Sequence, residues 1–342
     1  MPAQTRPEPE PIYPVPRIYV GSEVLDIPEP EWVLEDFIQA GGLTILHGVP
    51  AAGKSLLAQD WSMVVSNGWE WCGREAAQVP VLYIMGEGQT GLRGRLLAWL
   101  QSRHTDYVPP VHWIMEPVSL WAPPGSDFTP EQQGILQYVE RHKIGLVVAD
   151  TLSATFGGGN ENMQQDMNQY LKWFKTLMGE GVATLIVHHE SKGATGTPRG
   201  STVLAGAADT IIRVEPTFAP DGETMHGCTV RCKKQKDGMP FGRLLMRLES
   251  YSVDTDRGSS VVLRPRAAAE TEVEARDLDT QNKIMEYVLS HRGASWNSVF
   301  AAVKGKRDSV VKVRDQMIED GLLEWGPDQK GLYALTEGED LL

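Results

Sequence analysis

The sequence contains few cysteines and no long apolar stretch. Its three cysteines, Cys72, Cys228 and Cys232, are too few in 342 residues for a disulfide framework. No further ligands lie near them at the spacing of a metal site. No apolar run reaches the length of a membrane span, and the proline-rich, acidic N-terminus differs from a secretory signal peptide. These absences predict a protein of a reducing, cytoplasmic compartment without membrane contact.

Positive charge is also scarce. There are 32 basic and 45 acidic residues, which gives a formal net charge of −13. This balance argues against a protein covered with non-specific nucleic-acid contacts. The charge is unevenly distributed, however, because the range 304–314 holds five basic residues and the single acid Asp308. A local basic surface near the C-terminus is therefore expected, and nucleic acid is not excluded as a partner.

A glycine-rich loop is the most specific motif of the chain. It lies between an apolar run at 42–47 and a helical pattern at 56–65, which is the strand–loop–helix context of a phosphate-binding loop. Its glycines let backbone N–H groups point at one anion, and the following helix start adds partial positive charge. Lys54 can reach the terminal phosphates, and the hydroxyl of Ser55 can ligate Mg²⁺. The predicted nucleotide-binding residues are Gly48, Val49, Pro50, Ala51, Ala52, Gly53, Lys54 and Ser55.

Apolar runs that alternate with helical patterns predict an α/β fold. The runs at 42–47, 79–85, 144–150 and 182–187 are continuous, which is typical of a mostly parallel sheet covered by helices on both faces. Three later strands alternate more in hydrophobicity and lie close together, so we expect antiparallel additions at one edge. These strands are predicted at Thr210–Val214, Cys228–Lys233 and Arg243–Arg247.

Composition divides the chain into four segments. Residues 1–30 contain eight prolines and predict an extended or disordered arm. Residues 31–263 form the predicted nucleotide-binding domain, and residues 264–278 a charged, alanine-rich linker. Residues 279–342 show three helix-like segments and then two strand-like segments around a turn at 326–328. That order is typical of a winged helix-turn-helix domain.

Three further polar residues follow buried strands and complete a candidate catalytic site. Asp150 ends an apolar strand, where a carboxylate can hold the shell of Mg²⁺. Glu87 follows the neighbouring strand between two glycines and can act as general base toward water. His189 ends the last buried strand and can sense the γ-phosphate, whereas His188 faces the other side of the strand and is read as structural.

The order and spacing of these motifs resemble the RecA-like hexameric helicase ATPases. The chain is most similar to the plasmid RepA helicase group, and the DnaB-type motors are more distant. The resemblance rests on Gly48–Ser55, Gly86–Gly88, Leu146–Asp150 and Ile186–Gly193 and covers residues 31–250. It implies an ATP- and Mg²⁺-dependent DNA helicase that assembles as a homo-hexameric ring and translocates on single-stranded DNA.

The same resemblance implies a role for each site residue. Lys54 and Ser55 bind phosphate and Mg²⁺, Glu87 is the catalytic base, Asp150 the acid of the metal site and His189 the sensor. Lys234 and Lys236 are the fingers that reach a neighbouring subunit's nucleotide. Two positions depart from the pattern, since Lys236 stands where the motors have arginine and Gly88 where the RepA group has an acid.

Two loops and the C-terminal segment are the expected DNA contacts. The loops at 154–165 and 190–200 face the central pore in the resembled family, and the second carries Lys192 and Arg199. Arg199 can equally serve as a phosphate finger. The winged helix is expected to contact duplex DNA, although the alternative that it binds protein stays open. Its candidate DNA-binding residues are Lys304, Arg307, Lys312 and Arg314.

Two other functions fit the same residues. One is a RecA-type recombination or annealing ATPase, which would form a filament on DNA rather than a closed ring. The other is a regulator in which the winged helix reads sequence and ATP switches assembly. ATP-dependent unwinding and the shape of the assembly distinguish the helicase, the recombination ATPase and the regulator.

Overall fold

The computed structural model describes residues 17–190, 202–219, 223–255, 258–266, 277, 280–281, 283–319, 322–326 and 331–334. Within this structure the chain separates into two units, Met1–Glu31 and Trp32–Leu342. In the first unit, residues Gly21–Asp26 form a 3-10 helix. Among the described residues, none of the helices is both long enough and apolar enough to cross a lipid bilayer.

A nine-stranded sheet is the centre of the second unit. Its strands are β3 (Leu43–Gly48), β4 (Val81–Met85), β5 (Val111–Ile114), β6 (Leu146–Asp150), β7 (Ala183–His189), β8 (Thr210–Phe218), β9 (Met225–Gln235), β10 (Leu244–Ser252) and β11 (Ser259–Pro265). They lie in the order β11-β10-β9-β8-β3-β7-β6-β4-β5. The six strands from β8 to β5 are parallel, and β9, β10 and β11 are antiparallel. The expected α/β fold with a mostly parallel sheet is confirmed.

Helices cover both faces of this sheet. They are α1 (Lys54–Asn67), α2 (Leu92–Ser102), α3 (Pro130–Arg141), α4 (Leu152–Phe156), α5 (Gln164–Gly179) and α6 (Thr202–Ala207). One apolar core lies between the sheet and the side of α1 and α2. A second core lies on the opposite face beneath α3, α4, α5 and α6. Helix α3 begins after a capping residue, since the Thr129 hydroxyl accepts the N–H of Gln132.

The edge of the sheet differs from the prediction in two respects. Strand β8 was expected to be an antiparallel addition, but it runs parallel to β3 along Thr44–Gly48 and antiparallel only to β9. Strand β11 was not predicted: residues 259–263 were assigned to the nucleotide-binding domain without a strand, and its last two residues to the linker. Its apolar residues Val262 and Leu263 are buried against the core of α1. A small additional sheet pairs β1 (Trp32–Leu34) with β2 (Ile38–Gln39).

A buried carboxylate fastens α1 to its neighbours. Asp60 on α1 accepts the indole N–H of Trp71 at 2.7 Å and that of Trp99, on α2, at 2.7 Å. Arg103, just beyond α2, donates to the same carboxylate at 2.9 Å. Three donors on one acid compensate for removing its charge from water. The anion-binding end of α1 therefore stands on a helix that is fixed to α2.

The C-terminal segment forms a separate small core. A helix α7 covers residues 283–290 and is followed by α8 (Trp296–Val303) and α9 (Arg307–Glu319). A three-stranded sheet of order β12-β14-β13 joins Ala294–Ser295, Gly331–Ala334 and Leu323–Trp325. Buried residues of all three helices and the sheet contact one another, among them Ile284, Val299 and Leu332.

Candidate nucleotide-binding site

The carboxyl ends of four neighbouring parallel strands bring the predicted site residues together. Gly48 at the end of β3 lies beside His189 at the end of β7. Asp150 at the end of β6 lies beside Met85 at the end of β4, two residues before Glu87. Loops at this edge are the usual ligand sites of open α/β sheets. Lys54, Ser55, Glu87, Asp150 and His189 therefore share one site, as the sequence predicted.

Two glycines of the loop occupy positions where a side chain does not fit. A Cβ on Gly48 would lie 2.2 Å from the carbonyl oxygen of Val214. Gly53 has a φ of +90°, and its Cβ would lie 2.8 Å from Leu263 on β11. Helix α1 begins directly afterwards at Lys54, so the unpaired N–H groups of its first turn face the loop. This is the backbone arrangement that binds phosphate.

Lys54 is the cation of this loop. Its ammonium is buried and donates to the carbonyl oxygens of Gly48 and Val49 at 3.0 and 2.8 Å, and it lies 3.3 Å from Nδ1 of His189. Burial lowers the pKa of Lys54 to about 8, although the nearby acids Asp150, Glu190 and Glu87 raise it. Phosphate oxygens would supply stronger acceptors and negative charge at this position. The cradle and its lysine thus fit a nucleotide phosphate.

Ser55 and Asp150 form a pair of oxygen ligands. The Ser55 hydroxyl donates to Oδ1 of Asp150 at 3.1 Å, and the Tyr83 hydroxyl donates to Oδ2 at 2.6 Å. Burial raises the pKa of the Asp150 carboxyl, a change that the hydrogen bonds from Tyr83 and Ser55 oppose and the charge of Glu87 increases. A divalent cation would stabilise the ionised form, and hydroxyl and carboxylate oxygens are the ligands that Mg²⁺ prefers. Both residues fit a magnesium site.

Glu87 is held beside this pair by a residue that the sequence reasoning missed. The Thr151 hydroxyl donates to Oε1 of Glu87 at 2.8 Å, and Thr151 directly follows Asp150. Glu87 itself is exposed, so water can reach its carboxylate. Arg95 on α2, also missed, donates to the carbonyl oxygen of Gly88 at 2.6 Å and thereby fastens the loop. Thr151 could have been identified from the sequence, because it is a hydroxyl residue directly after Asp150, the acid that ends a strand.

Buried charged side chains hold Glu190, the residue that directly follows His189. Glu190 accepts two hydrogen bonds from Arg213 on β8, at 2.6 and 3.2 Å, and its N–H donates to Gly48. Nδ1 of His47 lies 3.2 Å from the same carboxylate. Arg213 also contacts Glu215 at 2.7 Å. Strand β7, which ends at His189, and strand β3, which precedes the phosphate loop, are therefore joined through paired charges.

The protonation of His47 predicts a pH dependence of stability. Burial lowers its pKa from 6.5 to about 4; Glu190 opposes this shift, whereas Arg213 and His188 add to it. Between these pH values the unfolded chain binds a proton that the folded chain does not, so stability should fall as pH falls from 6.5 to 4. This pKa change corresponds to about 3 kcal/mol of unfolding free energy.

Urea unfolding of wild type and of His47→Asn at pH 7.5 and 4.5 measures the effect. Carboxylates titrate in both proteins, so the comparison isolates the histidine. The wild type should lose more stability on acidification than the variant. Equal losses in the two proteins would show that His47 does not cause the pH dependence.

The two predicted fingers lie away from this site in their own chain. Lys234 pairs with Ile211 on β8 near the beginning of β3, whereas the phosphate loop follows the end of β3. Its ammonium donates to the carbonyl oxygens of Ala205 and Ala208 and so caps the end of α6. Lys236 is 61% exposed and pairs with Asp209 at 3.1 Å. Within its own chain Lys234 therefore caps α6, and the contact of Lys234 and Lys236 with a neighbouring subunit stays a prediction.

The predicted DNA-binding residues have different surroundings. Lys192 and Arg199 lie outside the described residues. Lys304, Arg307 and Lys312 are exposed. Arg314 is not, because its guanidinium packs over Trp296, 4.4 Å from the ring centroid, donates to Asp315 at 2.8 Å and is only 15% exposed. Arg314 therefore packs within its own chain, and its contact with DNA stays a prediction.

A groove beside the phosphate loop completes the site. It has a volume of about 680 Å³ and lies between the start of α2 and the β10–β11 hairpin. Leu56 on α1, directly after Ser55, forms one wall, and Arg95 and Ser260 line the others. Its size is that of a small-molecule site. The groove continues from the residues that fit the phosphates.

One family model and two solved structures are similar to this chain. The family described as "AAA domain" matches residues 15–195, which is more than half of the chain. The flagellar accessory protein FlaH of Methanocaldococcus jannaschii is 13% identical, with a TM-score of 0.44, over 67% of this chain and 91% of that chain. The KaiC-like protein PH0186 of Pyrococcus horikoshii OT3 is 12% identical, with a TM-score of 0.44, over 68% and 94% of the two chains.

A search of curated proteins found no significant match. The family match spans the phosphate loop, the strands that carry Glu87 and Asp150, and the sensor His189. It agrees with the nucleotide-binding arrangement of these residues at one edge of the parallel sheet. On these grounds the chain belongs to the AAA domain family and is a P-loop ATPase.

Proposed function

We propose that the protein is an ATP-driven motor that translocates on single-stranded DNA as a ring, in the manner of a RepA-type replicative helicase. One observation carries the proposal. Both segments that were predicted to meet DNA follow residues of the hydrolysis site, since 154–165 comes shortly after Thr151 through α4 and 190–200 comes directly after His189. A change at the γ-phosphate would therefore act on residues that lie just before each predicted DNA contact.

The residues divide the chemistry of hydrolysis among them. Bound ATP with Mg²⁺ supplies the phosphoanhydride bond and a divalent charge. Lys54 and the amides of α1 bind the phosphates, and Ser55 and Asp150 hold the metal. Glu87, oriented by Thr151, accepts a proton from the attacking water. The nucleoside part would occupy the groove between Leu56 and the β10–β11 hairpin.

DNA contacts are proposed at two places. The loop 154–165 carries no lysine or arginine, so its contacts with phosphate would come from backbone amides and asparagines. The second loop supplies Lys192 and Arg199. In the C-terminal segment, three helices and a three-stranded sheet match a winged helix-turn-helix, which we assign to residues 279–342 beyond a linker at 264–278.

Ring assembly would complete the site across subunits. Lys236 is an exposed cation at the amino end of β8 and would reach the neighbour's γ-phosphate. As a lysine it gives one point charge without the two parallel hydrogen bonds of arginine. The proposed assembly is a homo-hexamer.

The test combines turnover, unwinding and particle shape. Wild type should hydrolyse ATP faster with single-stranded DNA, unwind a forked duplex and form rings with a non-hydrolysable analogue. Lys54→Ala should do none of these, because its phosphate site lacks the cation. Filaments in place of rings would favour a recombination ATPase. Sequence-selective binding of duplex DNA without ATP-dependent unwinding would instead favour a regulator whose assembly ATP switches.

A further inference from the structure

A second cavity lies between the antiparallel edge of the sheet and helix α9. Its volume is about 490 Å³. The sheet side contains His226 and Cys228 on β9 and Met246 on β10, and the helix side contains Lys312 and Val313. We refer to this cavity as the edge cleft. The edge cleft shares none of its lining residues with the nucleotide site described above.

The edge cleft is basic at its rim and apolar at its floor. Arg243, Arg266 and Lys312 line it, and Asp277 is the single acid among its lining residues in the described part of the chain. Cys228 and Met246 are fully buried beneath it. Such a rim attracts an anion, and guanidinium groups bind phosphate through paired hydrogen bonds. The floor accommodates an apolar or aromatic group.

His226 supplies an additional polar atom in the edge cleft. Its Nδ1 is buried and has no hydrogen-bond partner among the residues that the structure describes. A buried nitrogen without a partner costs free energy unless a ligand or water satisfies it. The edge of a nucleobase presents donors and acceptors that can do so. A ligand that combines a phosphate, an aromatic ring and a base edge is a nucleotide.

The edge cleft and the phosphate loop are neighbours along strand β9. The side chain of Met225 lies near Gly53, since a Cβ on that glycine would lie 3.6 Å from its Cε. The next residue, His226, lines the edge cleft. The strand is irregular at this point, because Phe218 pairs with Met225 and Thr217 with Gly227. The two sites therefore lie close together and share no lining residue.

We propose that the edge cleft binds a second nucleotide unit, either a free nucleotide or one nucleotide of a single strand. Lys312 comes from the C-terminal segment, and Arg243 comes from the edge of the central sheet. A bound phosphate would neutralise cations from both parts and hold them together. Lys312 thereby acts in the edge cleft and not on the surface of an outward-facing recognition helix. The proposal goes beyond the proposed function and does not depend on it.

Titration of the full chain in the Lys54→Ala background removes nucleotide binding at the phosphate loop, and substitutions in the edge cleft then distinguish this site from the other proposed DNA contacts. The probes are a fluorescent ADP analogue and a fluorescent oligothymidylate. At least one should bind, at one nucleotide site per chain, more weakly as salt rises. Adding Arg243→Gln and Lys312→Gln should weaken binding at least about tenfold, since each removes a charged hydrogen bond. The matched control, Arg247→Gln with Lys306→Gln, removes two charges outside the edge cleft and should change the affinity less than about twofold.

The same substitutions with Lys54 intact check folding. Arg243→Gln/Lys312→Gln should still bind one ADP at the phosphate loop. Binding of the ADP probe identifies a free nucleotide as the ligand, and binding of the oligothymidylate alone identifies a strand. Three results would overturn the proposal: neither probe binds Lys54→Ala, the control substitutions weaken binding as much as those in the edge cleft, or inorganic phosphate competes as well as ADP.

Discussion

Glu87→Gln should retain nucleotide binding and lose turnover by a factor on the order of a hundred or more. The carboxylate accepts the hydroxyl of Thr151 at 2.8 Å and is exposed, so it can take a proton from water in the transition state. The amide keeps the shape and can still accept that hydrogen bond, but it cannot act as a base. Interactions that act mainly in the transition state change kcat more than ground-state binding.

Steady-state ATPase rates and ADP affinity measured on the same preparations test this expectation. Lys54→Ala is the contrasting variant, because it removes a ground-state contact and should weaken binding as well as turnover. Glu140→Gln on α3 is the charge-matched control at an exposed position. Turnover of Glu87→Gln within a few-fold of wild type would remove this residue from the mechanism.

Arg213→Met should lower the free energy of unfolding by about 3–5 kcal/mol. Arg213 and Glu190 form a two-point ion pair in which the side chains are 18% and 4% exposed. Loss of the guanidinium leaves the carboxylate buried without its main partner. The double substitution Glu190→Leu/Arg213→Met removes both charges and should recover much of the loss, because the remaining apolar groups need no partner.

Urea unfolding at neutral pH measures both variants. Arg231→Gln is the control, since Arg231 is 46% exposed in its pair with Glu215, and its loss should cost less than about 1 kcal/mol. In Arg213→Met, the cation that lowers the pKa of His47 is gone, so His47 should take up a proton more readily. The loss should therefore be smaller at pH 5 than at pH 8. A double variant as unstable as the single one would show that the charges are not the cause.

Local sequence was sufficient to predict most of the site. Each of Lys54, Glu87, Asp150 and His189 follows a continuous apolar run, and parallel strands bring their carboxyl ends to one edge. Residues whose role depends on contacts distant in sequence were not predictable. Arg213 meets Glu190 only because β8 lies beside β3.

The edge of the sheet shows the same limit. Strand β11 was not predicted, because its apolar residues are few and the predicted linker begins at its last two residues. Its burial comes from α1 and α2, which the local pattern does not contain. Lys234 carried the right charge for a finger, yet the proximity of the end of α6 gives it three carbonyl acceptors in its own chain.

The three donors on Asp60 have a mechanical consequence. The indoles of Trp71 and Trp99 and the guanidinium of Arg103 prevent α1 from rotating or sliding without breaking several buried bonds at once. The phosphate-binding end of α1 and the loop of Glu87 ahead of α2 thus behave as one stiff block. A displacement of the phosphate-binding end of α1 would therefore be passed on to α2 and to the loop of Glu87 rather than absorbed between the two helices.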